Sequence, residues 1–206
     1  MTFLTGLDYA SVAVFAASGA LAASRQQLDL VGFFFLASLT AVGGGTIRDL
    51  LLDREVFWLA NPSIIGVAVC VALLVFFTAH LLESRLRALT WLDALALSVA
   101  VAAGSGAALS AGQPAVVVVL MGVVTGVMGG LMRDVVCNEV PLVLKQGELY
   151  ASAAFAGACA TVPAVYAGLS SVMTLLACTA LTFALRAGSI AFGWRLPVYK
   201  SRPPRA

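Results

Sequence analysis

The sequence predicts an all-α polytopic membrane protein with seven transmembrane helices, arranged as an inverted three-plus-three repeat plus a seventh helix. Three observations predict this fold. The 206 residues are 61% hydrophobic and only 11% charged, whereas soluble domains carry about a quarter charged residues. Four stretches contain no Asp, Glu, Lys or Arg, namely 30–47, 56–79, 94–132 and 149–185. The third observation is a motif that occurs twice.

The individual spans follow from the length of helix that crosses a bilayer, which is about 20 apolar residues. Barrel strands would alternate apolar and polar residues over about ten positions, and these stretches do not alternate. The stretch 94–132 divides at Pro114, which suits a first helical turn, and 149–185 divides at Pro163 and at 168–171. The predicted spans are 7–24, 30–52, 58–82, 91–110, 114–137, 148–168 and 171–191.

The positive charges of the loops predict the orientation. With seven spans, the loops after spans 1, 3 and 5 share a side with the C-terminus, and cytoplasmic loops are rich in Lys and Arg. The opposite side carries Arg54 alone, if the helix residues Arg48 and Arg133 are left out. We therefore expect a protein of the cell membrane with an outside N-terminus and a cytoplasmic C-terminus. The residues on the cytoplasmic side are Arg25, Arg85, Arg87, Lys145, Arg195, Lys200, Arg202 and Arg205.

The composition also limits which binding partners and which enzyme or metal sites we expect. A net charge of +2 suggests no nucleic-acid partner, and the basic tail 192–206 is expected to anchor the chain beside anionic membrane lipids. We find no nucleophile–base pair, phosphate loop or HExxH-type motif, and His80 stands alone. We expect no enzyme activity, no cofactor, no disulfide and no metal beyond a transient monovalent cation. The cysteines, which lack metal-ligand spacing, are Cys70, Cys137, Cys159 and Cys178.

The repeated motif reads TAVGGGTIRD at 40–49 and TGVMGGLMRD at 125–134, an offset of 85 residues. The same offset relates Asp8 to Asp93 and Gly19 to Gly104, and it slips by one residue where Glu55 aligns with Glu139. We interpret 7–84 as repeat 1, 91–168 as repeat 2, and 171–191 as a helix outside the repeat. Three spans are an odd number, so the second repeat enters the membrane from the opposite side. Inverted repeats of this kind are typical of proteins that move solutes through a site near the midplane.

The glycines of the two motifs are unusual inside a membrane helix. Each loosens a helix by about 1 kcal/mol relative to alanine, and backbone groups freed in a membrane must face protein or water. We therefore expect helices that are interrupted or kinked and that line a wet cavity. The alternative is close packing of helices. The fifth predicted span, 114–137, contains Gly122-xxx-Gly126-xxx-Gly130, and such stripes of small residues let another helix approach closely.

Each motif ends in an Arg–Asp pair. At 1.5 Å per residue, Arg48 lies about 28 Å along a helix that begins near Asp29, so one alternative is that the arginines snorkel to the lipid headgroups. Adjacent residues do not face each other on a helix, and we therefore expect partners on other helices, such as Asp8 or Asp93. These two acids have the alternative role of complementing a helix N-terminus. The residues that the two motifs single out are Thr40, Gly43, Gly44, Gly45, Arg48, Asp49, Thr125, Gly129, Gly130, Arg133 and Asp134.

With these residues assembled, the chain resembles the prokaryotic branch of the TRIC family, the trimeric intracellular cation channels, which is also grouped as an uncharacterised "glycine transporter" membrane family. The resemblance rests on GGGTIRDLLLDREVFWLANP at 43–62 and GVMGGLMRDVVCNEVPLVLKQGELYA at 126–151. It implies a homotrimer in which every protomer has its own pore between the inverted repeats. On this resemblance, the motif residues of the second and fifth spans form the predicted ion path, where freed carbonyls and the hydroxyls of Thr40 and Thr125 help to solvate the ion. The expected permeant ion is potassium, with sodium as a second candidate.

Two other functions compete with the channel. A secondary transporter would bind a small zwitterion such as glycine, with its carboxylate at half-helix N-termini and its amine at Asp8 or Asp93. A non-conducting membrane scaffold is disfavoured by the paired charges within the spans, because such charges are costly in a bilayer. Inverted repeats serve both channels and transporters, so the preference for a channel depends on the family resemblance.

Overall fold

The computed structural model describes residues 3–81 and 84–197, and the regular structure within them is helical, as the sequence predicts. Six of the helices are long and apolar enough to cross a membrane, with α4 counted together with the 3-10 turn that follows it, and α7 is a shorter apolar helix. The tail residues Lys200, Arg202 and Arg205 lie outside the described part of the chain. The helices are α1 Phe3–Arg25, α2 Leu30–Leu51, α3 Phe57–Ala60, α4 Ser63–Thr78, α5 Arg85–Ser110, α6 Ala115–Val136, α7 Ala151–Tyr166 and α8 Ser171–Phe192.

Side-chain caps account for the starts of α2, α5 and α8. Asp29 accepts a hydrogen bond from the amide of Gly32, and Ser84 and Ser170 accept equivalent bonds three residues ahead, which satisfies amides that a first turn leaves free. The cap at Ser84 starts α5 six residues earlier than the predicted span. The predicted span 58–82 is instead divided into α3 and α4 at Pro62, because proline has no amide for the helix.

Helix α5 is the centre of the bundle and packs against α1, α6, α7 and α8. Its small residues from Ala102 to Ala108 are all buried within the protomer. Small side chains allow this central position, because neighbouring helices approach it closely from several directions. This smooth face of α5 therefore packs within the protomer.

Helices α2 and α6 are continuous through their glycines, so the expected interruption is wrong, while the expected kink stays a prediction. The two helices cross at these positions. A Cβ atom on Gly44 would collide with the carbonyl oxygen of Thr125, and a Cβ atom on Gly129 would collide with the carbonyl oxygen of Thr40. The missing side chains therefore allow a backbone-to-backbone crossing, and the packing alternative explains these two glycines.

Candidate functional site

Arg48 is the centre of the first charge cluster, which consists of Asp8, Arg48 and Asp49. Its Nη1 lies 2.9 Å from Asp8 Oδ1 on α1, and its Nε lies 2.8 Å from Asp49 Oδ1. The guanidinium also stacks over the ring of Phe57, 5.3 Å from the ring centroid. The side chain of Arg48 is only 1% exposed, so it does not reach the headgroups, and the snorkelling alternative is wrong for this residue.

Arg133 is the centre of the second charge cluster, which consists of Asp93, Arg133 and Asp134. Its Nη1 lies 2.7 Å from Asp93 Oδ1 on α5, and its Nη2 lies 2.7 Å from Asp134 Oδ1. Nη1 also donates to the hydroxyl of Ser18 on α1 at 2.9 Å. The side chains of Arg133 and Asp93 are completely buried, and this arginine does not snorkel either.

Both arginines also bind the aspartate that follows them in the chain, which the sequence argument did not expect. The helical spacing rule concerns Cβ positions, but a guanidinium on a long side chain can turn back along the helix and meet its neighbour's carboxylate. The remaining oxygen of each aspartate caps the next segment. Asp49 Oδ2 accepts from the amide of Phe57 at 2.9 Å, and Asp134 Oδ2 accepts from the amide of Leu142 at 2.8 Å.

Equivalent contacts in the two repeats remain 85 residues apart even at residues 53–57, where we expected the offset to change by one residue. The segment after α2 has Asp53 at a positive φ of 51°, and the segment after α6 has Asn138 at 53°. The amide of Arg54 bonds to the carbonyl of Asp49, and the amide of Glu139 bonds to the carbonyl of Asp134. Arg54, rather than Glu55, is therefore the structural equivalent of Glu139, because the left-handed residue and the aspartate set the same turn twice.

The two clusters lie on opposite sides of the crossing between α2 and α6. Asp8 and Ser18, which contact the first and second clusters, are ten residues apart on α1, about 15 Å along the helix axis. Thr40 and Thr125 lie at the crossing itself, and their hydroxyls donate to the carbonyls of Leu36 and Met121 at 2.6 Å. Each hydroxyl oxygen can still accept a bond.

An open cavity leads to the first cluster. It has a volume of about 410 Å³, and Asp8, Arg54, Glu55, Phe57 and Asn61 are among the residues around it. We call it the Asp8 cavity. A narrow pocket of about 10 Å³ shares Asp8 and Phe57 with it and extends inward, with room for about one water molecule. That pocket brings together six of the residues that the sequence identified: Asp8, Thr40, Gly44, Gly45, Arg48 and Thr125.

The other predicted path residues lie outside this pocket. A Cβ atom on Gly43 would meet the sulfur of Met132, whereas one on Gly130 would lie 3.0 Å from the hydroxyl of Tyr150 and 3.2 Å from Asp93 Oδ1. Gly130 thus belongs to the second cluster, as do Arg133 and Asp134, while Asp49 lies against Arg48. Five of the predicted path residues therefore line the narrow pocket beside the Asp8 cavity, while Gly130, Arg133 and Asp134 lie at the buried second cluster.

Several residues that surround the clusters were not predicted from the sequence. Phe57 covers Arg48, and Ser18 bonds to Arg133. Arg186 on α8 is fully buried and binds Glu148 at 2.8 Å, with its guanidinium stacked on the ring of Tyr150. One signal was present, because Arg186 is the charge that ends the apolar stretch 149–185. The aromatic residues carry no comparable signal.

The chain is similar to known membrane proteins over nearly its whole length. A family model described as a glycine transporter matches residues 5–80 and 90–166. The UPF0126 inner membrane protein YadS of Escherichia coli K12 is 37% identical over 203 residues, which cover 94% of each chain. Among solved structures, a TRIC trimeric intracellular cation channel orthologue from Rhodobacter sphaeroides has a TM-score of 0.90 and 40% identity, covering 94% of this chain and all of that one. A second structure, of a TRIC cation channel, has a TM-score of 0.85 and 30% identity, covering 98% of this chain and all of that one.

Proposed function

The chain belongs to the TRIC family, which it matches along its length and which is a family of channels rather than of enzymes, and from that premise we propose that it is a cation channel. The observation that carries the proposal is the pair of charge clusters on the two sides of the α2–α6 crossing. Each cluster contains one guanidinium and two carboxylates. Each therefore has a net negative charge, which attracts cations and repels anions.

The proposed path enters through the Asp8 cavity, passes Arg48 and Phe57, crosses between Thr40 and Thr125 and ends at the second cluster. The threonine oxygens and the carboxylates replace part of the water around the ion. Since α2 and α6 are continuous and cross at Gly44 and Gly129, the proposed part of these glycines is to let the two helices approach closely around this path. We propose monovalent cations, principally potassium, as the permeant ions.

We further propose seven membrane spans, including the short α7, in an inverted three-plus-three repeat. Contacts at the helix ends support this arrangement. Arg25, at the end of α1, binds Glu139 after α6 at 3.0 Å, and Arg54, after α2, reaches the carbonyl of Ala107 near the end of α5 at 3.4 Å. Helices α1 and α6 thus end together, as do α2 and α5. The two stretches that the family model matches also begin 85 residues apart (90 − 5).

The functional assembly that we propose is a homotrimer in the cell membrane with one pore in each protomer. Its support is the likeness to a trimeric channel orthologue, together with many large apolar side chains exposed on the outside of the protomer, including Phe35, Leu74 and Phe77. Lipid and neighbouring protomers would cover such a surface. Light scattering corrected for detergent should give three times the 21.2 kDa of one chain, and a mass near one chain would refute the assembly.

A transporter of a small zwitterion such as glycine is the second candidate, and the glycine transporter model favours it. In the structure the acceptor for an amine would be Asp8, whose side chain is 15% exposed. The unbroken helices disfavour this function, because they provide no half-helix N-terminus to bind a carboxylate.

Planar-bilayer recording of the purified protein in a potassium chloride gradient tests the proposal. A channel gives resolved unitary currents with a reversal potential near that of potassium, whereas alternating access moves too few ions for a unitary current. The matched variants are Asp8→Asn and Glu55→Gln, which remove the same charge from the same cavity. Only Asp8 belongs to a charge cluster, so Asp8→Asn should change the conductance more. Glycine uptake without unitary currents would favour the transporter.

A further inference from the structure

The two charge clusters differ sharply in their access to solvent. Asp8 of the first cluster is 15% exposed and lies in the open Asp8 cavity. Its equivalent in the second cluster, Asp93, is completely buried, as is Arg133. The repeat explains why the two clusters have the same chemistry, but it does not explain why only one of them is closed. The residues that close the second cluster include some from α8, which lies outside the repeat.

Three residues form a connected chain from the surface to the second cluster. Glu148, whose side chain is 35% exposed, binds the buried Arg186 of α8. The guanidinium of Arg186 stacks on the ring of Tyr150, 5.1 Å from its centroid. The hydroxyl of Tyr150 lies beside Gly130 together with Asp93 Oδ1. Tyr150 therefore fills the space next to the second cluster, and Arg186 holds its ring from the other side.

The segment after α8 fixes the position of Glu148 and Tyr150. The amide of Leu196 donates to the carbonyl of Gly147 at 2.8 Å. The hydroxyl of Ser189 accepts from the amide of Leu149 and donates to the carbonyl of Trp194. The segment 147–150 is thus bound to α8 and to the residues that follow it.

This closed arrangement leaves several buried polar atoms without a hydrogen-bond partner. They include Asp93 Oδ2 and both Nε and Nη2 of Arg186. Buried polar groups are costly when they lack partners, and water would satisfy all of these atoms. These atoms give the space around Asp93 and Arg186 a polar lining.

We propose that Arg186 is a positioning residue that holds Tyr150 against the second charge cluster and so closes that end of the path. This inference depends on the proposed function for its effect on cation flow, but the closure itself is a property of the fold. Movement of α8 or of segment 147–150 opens this end, while the Asp8 cavity stays accessible. Helix α8, which lies outside the repeat, thereby makes the end at the second charge cluster the end where opening of the path is regulated.

The test compares Arg186→Met with Arg25→Met. Both variants remove an arginine that binds a glutamate in the segment between α6 and α7, but Arg25 is at the surface. The first measurement is the labelling rate of Ser18→Cys by a charged, water-soluble thiol reagent, in a chain whose four native cysteines are replaced by alanine. Ser18 is fully buried beside Arg133, so its labelling reports water access to the second cluster. The second measurement is potassium flux into proteoliposomes.

We expect Arg186→Met to raise both the labelling rate and the flux at least about fivefold. Arg186→Lys, which keeps the positive charge, should leave both near their wild-type values. Arg25→Met should change neither. If Arg186→Met does not assemble, Glu148→Gln weakens the same contact from the surface and should also raise the labelling. Increased labelling without flux in any variant would support this inference and contradict the proposed channel. Unchanged labelling in a well-assembled Arg186→Met protein would overturn the inference.

Discussion

At the scale of single residues, the buried arginines Arg48 and Arg133 determine the local charge of the site and the packing of the helices around it. Each is neutralised by one aspartate on its own helix and by one on another helix. A buried charge that loses its partner is strongly destabilising, so these pairs fix how the helices pack as well as the local potential. The chemistry of the two clusters is equal, and their burial is not. Equivalent substitutions should therefore have unequal effects.

Asp93→Asn should destabilise the protein more than Asp8→Asn. Asp93 is fully buried, and its loss leaves the buried Arg133 with Asp134 as its one bound carboxylate, a change of the kind that costs about 3–5 kcal/mol. Asp8 is partly exposed, so water can replace some of what Arg48 loses. Thermal unfolding of both variants in detergent measures the difference. Equal shifts in the unfolding midpoint would show that the two clusters are equally hydrated.

At the scale of the elements, the crossing of α2 and α6 is the feature on which the site depends. Gly44 faces the backbone of α6, and Gly129 faces the backbone of α2. A carbonyl in a helix cannot move aside as a flexible side chain can. The same residues that lower helix propensity therefore set the distance between the two helices that carry both arginines.

Gly44→Ala and Gly129→Ala should each separate the helices and lower stability, although alanine favours a helix by about 1 kcal/mol relative to glycine. The matched control is Gly66→Ala in α4, where an added Cβ atom meets nothing within 4 Å. We expect the control to keep its assembly and its unfolding temperature, and the other two variants to lose oligomer or unfold at lower temperature. Stable, assembled variants at both positions 44 and 129 would show that the crossing tolerates a wider separation.

At the scale of the whole molecule, an inverted arrangement would place similar charge clusters near the two membrane surfaces. Tyr150, which lies beside the second cluster and is contacted by Arg186 of α8, breaks this equivalence. The proposed orientation, with the N-terminus outside, would put the open Asp8 cavity on the outer side and the closed second cluster on the cytoplasmic side.

Fusions to topology reporters test this orientation. Green fluorescent protein fused after Ala206 should fluoresce, because it folds in the cytoplasm. Alkaline phosphatase fused after Gln113, between α5 and α6, should be active, because four preceding spans and an outside N-terminus place that point outside. The opposite pattern at both points would reverse the orientation, and the same side for both points would contradict the count of spans between them.

The sequence by itself determined the helical membrane class, the paired glycines and the identity of the charged residues, because apolar length and a repeated offset are properties of the chain alone. The sequence also predicted that the offset between the repeats changes by one residue at Glu55. The turn after Asp49 does not show this change. Only the tertiary structure decided that Gly44 and Gly129 serve a helix crossing rather than a break. A helix propensity reports the cost of glycine within one helix, whereas the compensating contact comes from another helix. For the same reason, the closure of Asp93 by Tyr150 and Arg186 could not be predicted, since it depends on how α8 packs against a cluster that lies far away in the sequence.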